Sequence, residues 1–134
     1  MILQTLFGVH ASLASLLLRL AIGVSFIIHG YPKLSANRKG VGDWLKTVGI
    51  PSGFALFAGI VEFFGGIVLL AGLLTPIVAV LAALWMVATT WLSVAKIKKK
   101  FAGGWEIDFL LLVLSLTLAA LGGGVFSVDH LLGI

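Results

Sequence analysis

The chain contains no cysteine. Thiolate catalysis, disulfide exchange, iron–sulfur ligation and Cys-type zinc sites are therefore excluded within it. Charge is almost as scarce: 10% of the 134 residues are charged, against about a quarter in a soluble domain. The histidines are His10, His29 and His130. No two fall at helical i, i+3 or i+4 spacing and no HExxH or nucleophile elbow is present, so no metal centre is expected. Gly122-Gly123-Gly124 has neither the preceding strand nor the following lysine of a phosphate loop. The formal net charge is +4, but the basic residues cluster in two loops rather than along a helix face, which excludes a nucleic-acid surface. No basic stretch precedes the first apolar run, so a cleaved signal is not expected.

What is abundant is apolar. Hydrophobic residues make up 60% of the chain and the mean hydropathy is +1.20. Four apolar segments carry this excess, at about 12–30, 52–73, 76–94 and 105–121, and the three prolines fall at their edges, where helices start or stop. Each is roughly 17–22 residues long, enough at about 1.5 Å per residue to cross most of a bilayer core. They are too long for barrel strands and do not alternate. In lipid the backbone must satisfy its own hydrogen bonds, so the expected fold is all-α: a single transmembrane domain over 1–134 forming a four-helix bundle.

Every Lys and Arg except Arg19 lies in two segments, 31–51 and 95–104. With four crossings these face the same side, so the charge bias places both loops in the cytoplasm and both termini outside a cell membrane. Within the first loop, Val41, Trp44, Leu45 and Val48 recur at i, i+3, i+4 and i+7, which predicts a short amphipathic helix at the interface.

Arg19 and Glu62 are the ionisable residues well inside the apolar segments. A charge at bilayer depth costs about 2.5–3.5 kcal/mol even on insertion scales, so each needs a partner or a wet cavity. Ser12, Ser15, Arg19, Gly23, Phe26 and Gly30 share one face of the first helix. Ala55, Gly59, Glu62, Gly65, Gly66, Leu69 and Gly72 share one face of the second. Stripes this small and polar are expected to face the bundle interior. Counting from the segment ends puts Arg19 roughly 10 Å from the outer edge and Glu62 about 15 Å from the inner one, an axial gap on the order of 5 Å. The two are thus expected to meet, either as a buried structural pair or as an intramembrane site with Phe26 and Trp85 as aromatic walls. A second polar group is expected at the inner edge, from His29, Lys33, Glu106 and Asp108. Helix-dipole effects alone would also account for its charges.

The stretches RLAIGVSFIIHGYPKL (19–34), VGIPSGFALFAGIVEFFGGIVLLAGLLTPIVA (48–79), WEIDFLLLVLSL (105–116) and GGGVFSVDHLL (122–132) resemble the DoxX family of small four-helix membrane proteins. The resemblance runs from about Ser15 to Leu132. It implies family positions at Arg19, Gly30, Lys33, Glu62, Gly65, Gly66, Glu106 and Asp129. It further implies a link to quinone redox chemistry, since relatives include a subunit of thiosulfate:quinone oxidoreductase. Because no complete catalytic site is visible, an oxidoreductase subunit is the most the sequence carries. Its ligand would be a quinone, held between Arg19, Glu62, Phe26 and Trp85, and its electrons would come from a redox partner. Two alternatives remain open: a small proton-coupled transporter working as a homo-oligomer, specifically a dimer, and a structural membrane protein without a ligand.

Overall fold

A computed structural model gives the architecture; it describes residues 1–134, apart from the side chains at positions 4 and 7–9. Six helices follow one another: α1 Ile2–Leu34, α2 Arg38–Thr47, α3 Phe54–Ala71, α4 Thr75–Ala95, α5 Glu106–Leu121 and α6 Val128–Leu132. The membrane-crossing stretches are His10–Leu34 in α1, all of α3 and α4, and a stretch ending in α5 at Leu121. The protein is an all-α, multi-pass membrane four-helix bundle, with the short α2 lying in the first loop. The principal packed pairs are α1 with α3 and α4 with α5.

Lipid-facing and inward-facing positions separate cleanly. Leu17, Ile28, Phe57, Phe64, Leu84 and Leu116 are exposed on the flanks, where lipid rather than water is the solvent. Ile22, Phe26, Leu69, Ala79, Ala82, Met86, Leu111 and Leu118 form one core cluster. Ser12, Ser15, Arg19, Gly23, Phe26 and Gly30 are all buried, as are Ala55, Gly59, Glu62, Gly66, Leu69 and Gly72, with Gly65 half-buried. The small-residue stripes are therefore the contact between α1 and α3. A Cβ on Gly30 would come within 2.5 Å of the Phe63 backbone nitrogen, and one on Gly66 within 2.6 Å of the Gly23 carbonyl oxygen. In lipid such backbone proximity replaces the hydrophobic driving force between helices.

The first helix is longer than its apolar pattern suggests at both ends. Pro32, read as a stop, lies inside the last turn of α1, which continues to Leu34. A proline this close to the end removes a single donor, and neighbouring helices tolerate it. The extra turn carries Lys33 past the proline as a helical residue. In the amphipathic α2, Leu45 and Gly42 are buried while Trp44 remains half-exposed.

The two ends of the bundle differ. One end, the basic end, bears α2 and the Lys96–Trp105 segment. At the other, terminal end, the chain leaves α5 at Gly122 and runs back across α1, where the Ser15 hydroxyl donates to the Gly122 carbonyl and the Val125 N–H donates to Ser12 Oγ at 3.3 Å. The chain then closes with α6, whose first turn is capped by Ser127 accepting from the His130 N–H.

Candidate functional site in the bundle interior

Arg19 and Glu62 do not meet. Gly23 packs on Gly66 and Leu70, Gly30 on Glu62 and Phe63, and Gly59 on Lys33 and Leu34. This antiparallel register carries Arg19 to the level of Gly72, ten residues or roughly 15 Å along α3 from Glu62. A Cβ added to Gly72 would overlap Arg19 Nη1 at 1.9 Å, which locates the guanidinium directly. The expected Arg19–Glu62 site is thus two separate polar centres. Aligning the apolar segment ends brings the two charges level, but in the fold α1 slides toward the terminal end and its proline turn is helical.

The terminal centre is built around Arg19, which is 1% exposed. Its Nη2 donates to the Phe126 carbonyl at 2.8 Å, while Nε and Nη1 have no hydrogen-bond partner among the described residues. Charge compensation comes from Asp129, which attracts it without direct contact. Asp129 has a second task. Its Oδ1 accepts from the Leu74 N–H at 2.5 Å and its Oδ2 from the Thr75 N–H at 2.8 Å. It therefore caps the N-terminus of α4 from a distant part of the chain, a place where negative charge is favoured. Leu74 is held there at a left-handed φ of 49°, a conformation costing on the order of 1 kcal/mol for a residue with a Cβ. Burial alone would raise the Asp129 carboxyl. The contacts with Thr75 and Leu74 and the Arg19 charge outweigh it, and the group is held below the ordinary carboxylate value.

The second centre lies toward the basic end. Glu62, 5% exposed, pairs with Lys33 Nζ through one oxygen. Its other oxygen, Oε1, accepts from Trp85 Nε1 at 3.2 Å. Glycines on both helices flank this pair, Gly30 on α1 and Gly59 on α3, and they let the two backbones come close enough for Lys33 to reach inward. Beside the pair opens a cavity of about 300 Å³. Phe26, Phe54, Trp85, Met86 and Leu111 supply apolar walls, and α2 contributes Trp44 and Leu45. Phe54 stacks on Trp85 at 5.9 Å with an interplanar angle of 15°, and Phe57 meets the same indole edge-on at 5.7 Å. The indole is thereby fixed with its N–H on the carboxylate.

Of the four residues expected at the intramembrane site, the structure brings Glu62, Phe26 and Trp85 to this cavity and leaves Arg19 at the other end of the bundle. Of the expected inner-edge group, His29, Lys33 and Asp108 line the same cavity. Asp108 accepts from the Ser93 hydroxyl at 3.1 Å. Glu106 stands apart, accepting from the Gly103 N–H at 3.1 Å in the turn before α5. Sequence reasoning missed Phe54, the Lys33–Glu62 pair and the Ser93–Asp108 bond. The pair had a signal, since Lys33 continues the buried stripe three residues beyond Gly30. Phe54 had none, because an aromatic at a helix start reads equally well as lipid-facing.

Such a centre can hold a small flat molecule between aromatic and aliphatic walls and offer it a cationic donor, an anionic acceptor and a buried carboxyl for proton exchange. The DoxX family model matches residues 14–95, which include most of these groups. A Bacillus subtilis (strain 168) protein named Putative oxidoreductase CatD is 34% identical over 117 residues, covering 87% of this chain and 85% of that protein. The chain belongs to the DoxX family of membrane proteins. No solved structure matches it significantly.

Proposed function

We propose that the protein is a redox-associated membrane subunit that binds a quinone-class ring in the cavity beside Lys33, Glu62 and Trp85. The observation that carries this reading is the composition of that cavity: apolar walls of mixed aliphatic and aromatic side chains with a Lys–Glu pair at the head. A carbonyl-bearing ring needs such walls and a donor for its oxygen; the Lys33 ammonium, 23% exposed and less enclosed than its partner, is the donor, and Glu62 is the acceptor for the hydroxyl of the reduced ring. The volume, about 300 Å³, lies at the lower limit of small-molecule sites, so it suits a ring headgroup with any tail left in the bilayer. A quinone, when bound, would supply the electron-accepting chemistry; the chain's own residues bind it, orient it and exchange its protons. Electrons come from a redox partner, and the name of the CatD relative supports this class of activity. In this reading the protein resides in the cell membrane with both termini outside and the basic end in the cytoplasm, as the distribution of Lys and Arg favours.

Titration of a short-tailed ubiquinone or menaquinone analogue against Trp85 emission tests the proposal. Saturable quenching, weakened by Lys33→Met and Glu62→Gln and unaffected by Arg19→Lys, is expected. Absence of saturable quenching, or quenching indifferent to both cavity variants, would overturn it in favour of a structural protein without a ligand.

A further inference from the structure

The cavity has a polar feature that ring binding does not use. Along α4, Trp85, Thr89 and Ser93 follow one another at i, i+4 and i+8 and all line it. The first of these holds Glu62 and the last holds Asp108. The stripe thus begins at a buried carboxylate and ends at a second one near the basic end, with a hydroxyl between. Thr89 Oγ1 donates to the Met86 carbonyl at 3.2 Å, and its oxygen still has lone pairs to accept with. Eight residues separate Trp85 from Ser93, roughly 12 Å, too far for direct transfer but short for a few waters in file. A volume of about 300 Å³ admits roughly ten waters at liquid density, and a cavity with convergent polar groups is one that water enters. The other titratable groups facing this space are His29 and Lys33 from α1 and Lys99 from the segment after α4; α2 contributes none.

We propose that this cavity is a proton route joining Glu62 to the solvent at the basic end, with Asp108 as its entry carboxylate and Thr89 and Ser93 as relay hydroxyls. Protonation of Glu62 releases Lys33 from its ion pair, and deprotonation returns the proton through the same water file to Asp108 and out; no electron moves and no other group changes. The full water file belongs to the cavity without a ring, since the volume does not hold both; a ring bound at the Glu62 end would draw on the waters left toward Asp108, so the purpose of the route rests on the reading above, whereas its existence does not.

The absence of cysteine and the indole on Glu62 make the route measurable without any ligand. In a protein carrying Trp44→Phe, Trp91→Phe and Trp105→Phe, Trp85 is the only tryptophan and reports the charge of its acceptor. A rapid pH jump on the reconstituted protein is expected to give an emission step that Glu62→Gln abolishes. Asp108→Asn is expected to slow that step by about tenfold or more, and formate in solution to restore the rate, as for a missing proton carrier. A cysteine at Thr89 is expected to react with a small hydrophilic thiol reagent, while one at the lipid-facing Val87 does not. A step that survives Glu62→Gln, a rate unchanged in Asp108→Asn, a slowed rate that formate leaves slow, or a thiol at 89 as inert as one at 87 would each overturn the proposal. Because no quinone is present, failure here leaves the ring-binding test standing, and failure of that test leaves this one.

Discussion

Replacing Asp129 by asparagine perturbs two elements at once, and the structure sets the direction of its pH dependence. The carboxylate, 6% exposed, accepts from two backbone N–H groups at 2.5 and 2.8 Å and compensates the Arg19 charge. An amide keeps one acceptor oxygen and presents an N–H₂ to whichever backbone donor it does not serve. It also leaves Arg19 buried with no anion, and losing a charged acceptor of buried donors costs about 1.5–3 kcal/mol. Arg19→Leu should cost less, because Asp129 retains both backbone donors at a helix N-terminus. The pH dependence follows from linkage. The Asp129 carboxyl is held below its ordinary value in the fold, so its stabilisation is complete above the unfolded value, about 3.9, and is lost as pH falls from there through the lower folded value. Thermal unfolding in detergent between pH 7 and pH 3 checks this. The gap in melting temperature between wild type and Asp129→Asn should be widest at neutral pH and should narrow as pH falls below about 4. The reasoning would be refuted by a gap that does not change with pH, or by a loss under about 1 kcal/mol at neutral pH.

The register between α1 and α3 makes Arg19→Leu and Glu62→Gln independent: their losses should add within about 0.5 kcal/mol, whereas Arg19→Leu and Asp129→Asn should be strongly non-additive in the same melts. Gly30→Ala places a Cβ 2.5 Å from the Phe63 nitrogen and should destabilise by about 1–3 kcal/mol through overpacking. Gly40→Ala, on α2 with nothing within 4 Å, should be neutral or stabilising by up to about 1 kcal/mol. For topology, single cysteines at Leu131 and Lys98 in intact cells should give labelling by an impermeant reagent at 131 and not at 98; the reverse pattern would invert the orientation.

The bundle itself was legible in the sequence because lipid leaves few choices. A helix in hydrocarbon must bury what is polar and small and expose what is large and apolar, so the faces of α1 and α3 could be read from residue type alone. The short α2 was legible for a related reason, its apolar residues returning at helical spacing beside a charged face. What could not be read was axial register. An apolar segment ends where its hydropathy falls, but helices align where their backbones approach, and that point is set by Gly23 against Gly66 and Gly30 against Phe63. The resulting offset is large enough to exchange one ion-pair partner for another. The role of the C-terminal segment, as distinct from its family resemblance, was illegible for a different reason. Its Asp129 serves a helix start that lies more than fifty residues earlier, and no periodicity links a cap to a helix so distant in the chain.

The separation of the two charges has a functional consequence. Had Arg19 and Glu62 formed one pair, a permanently protonated guanidinium would hold the carboxylate ionised and leave it a poor proton carrier. The fold instead commits Arg19 to the C-terminal segment, where Phe126 and Asp129 fix it at the terminal end of the bundle. Glu62 is left with a lysine, whose compact ammonium sits on a flexible stem and is itself partly exposed toward the cavity. In the proposed proton route this lysine is the partner that the carboxylate releases when a proton arrives. The division of labour is therefore between an arginine held at the end of the bundle by Phe126 and Asp129 and a lysine placed, in the proposed route, beside the carboxylate that takes up the proton.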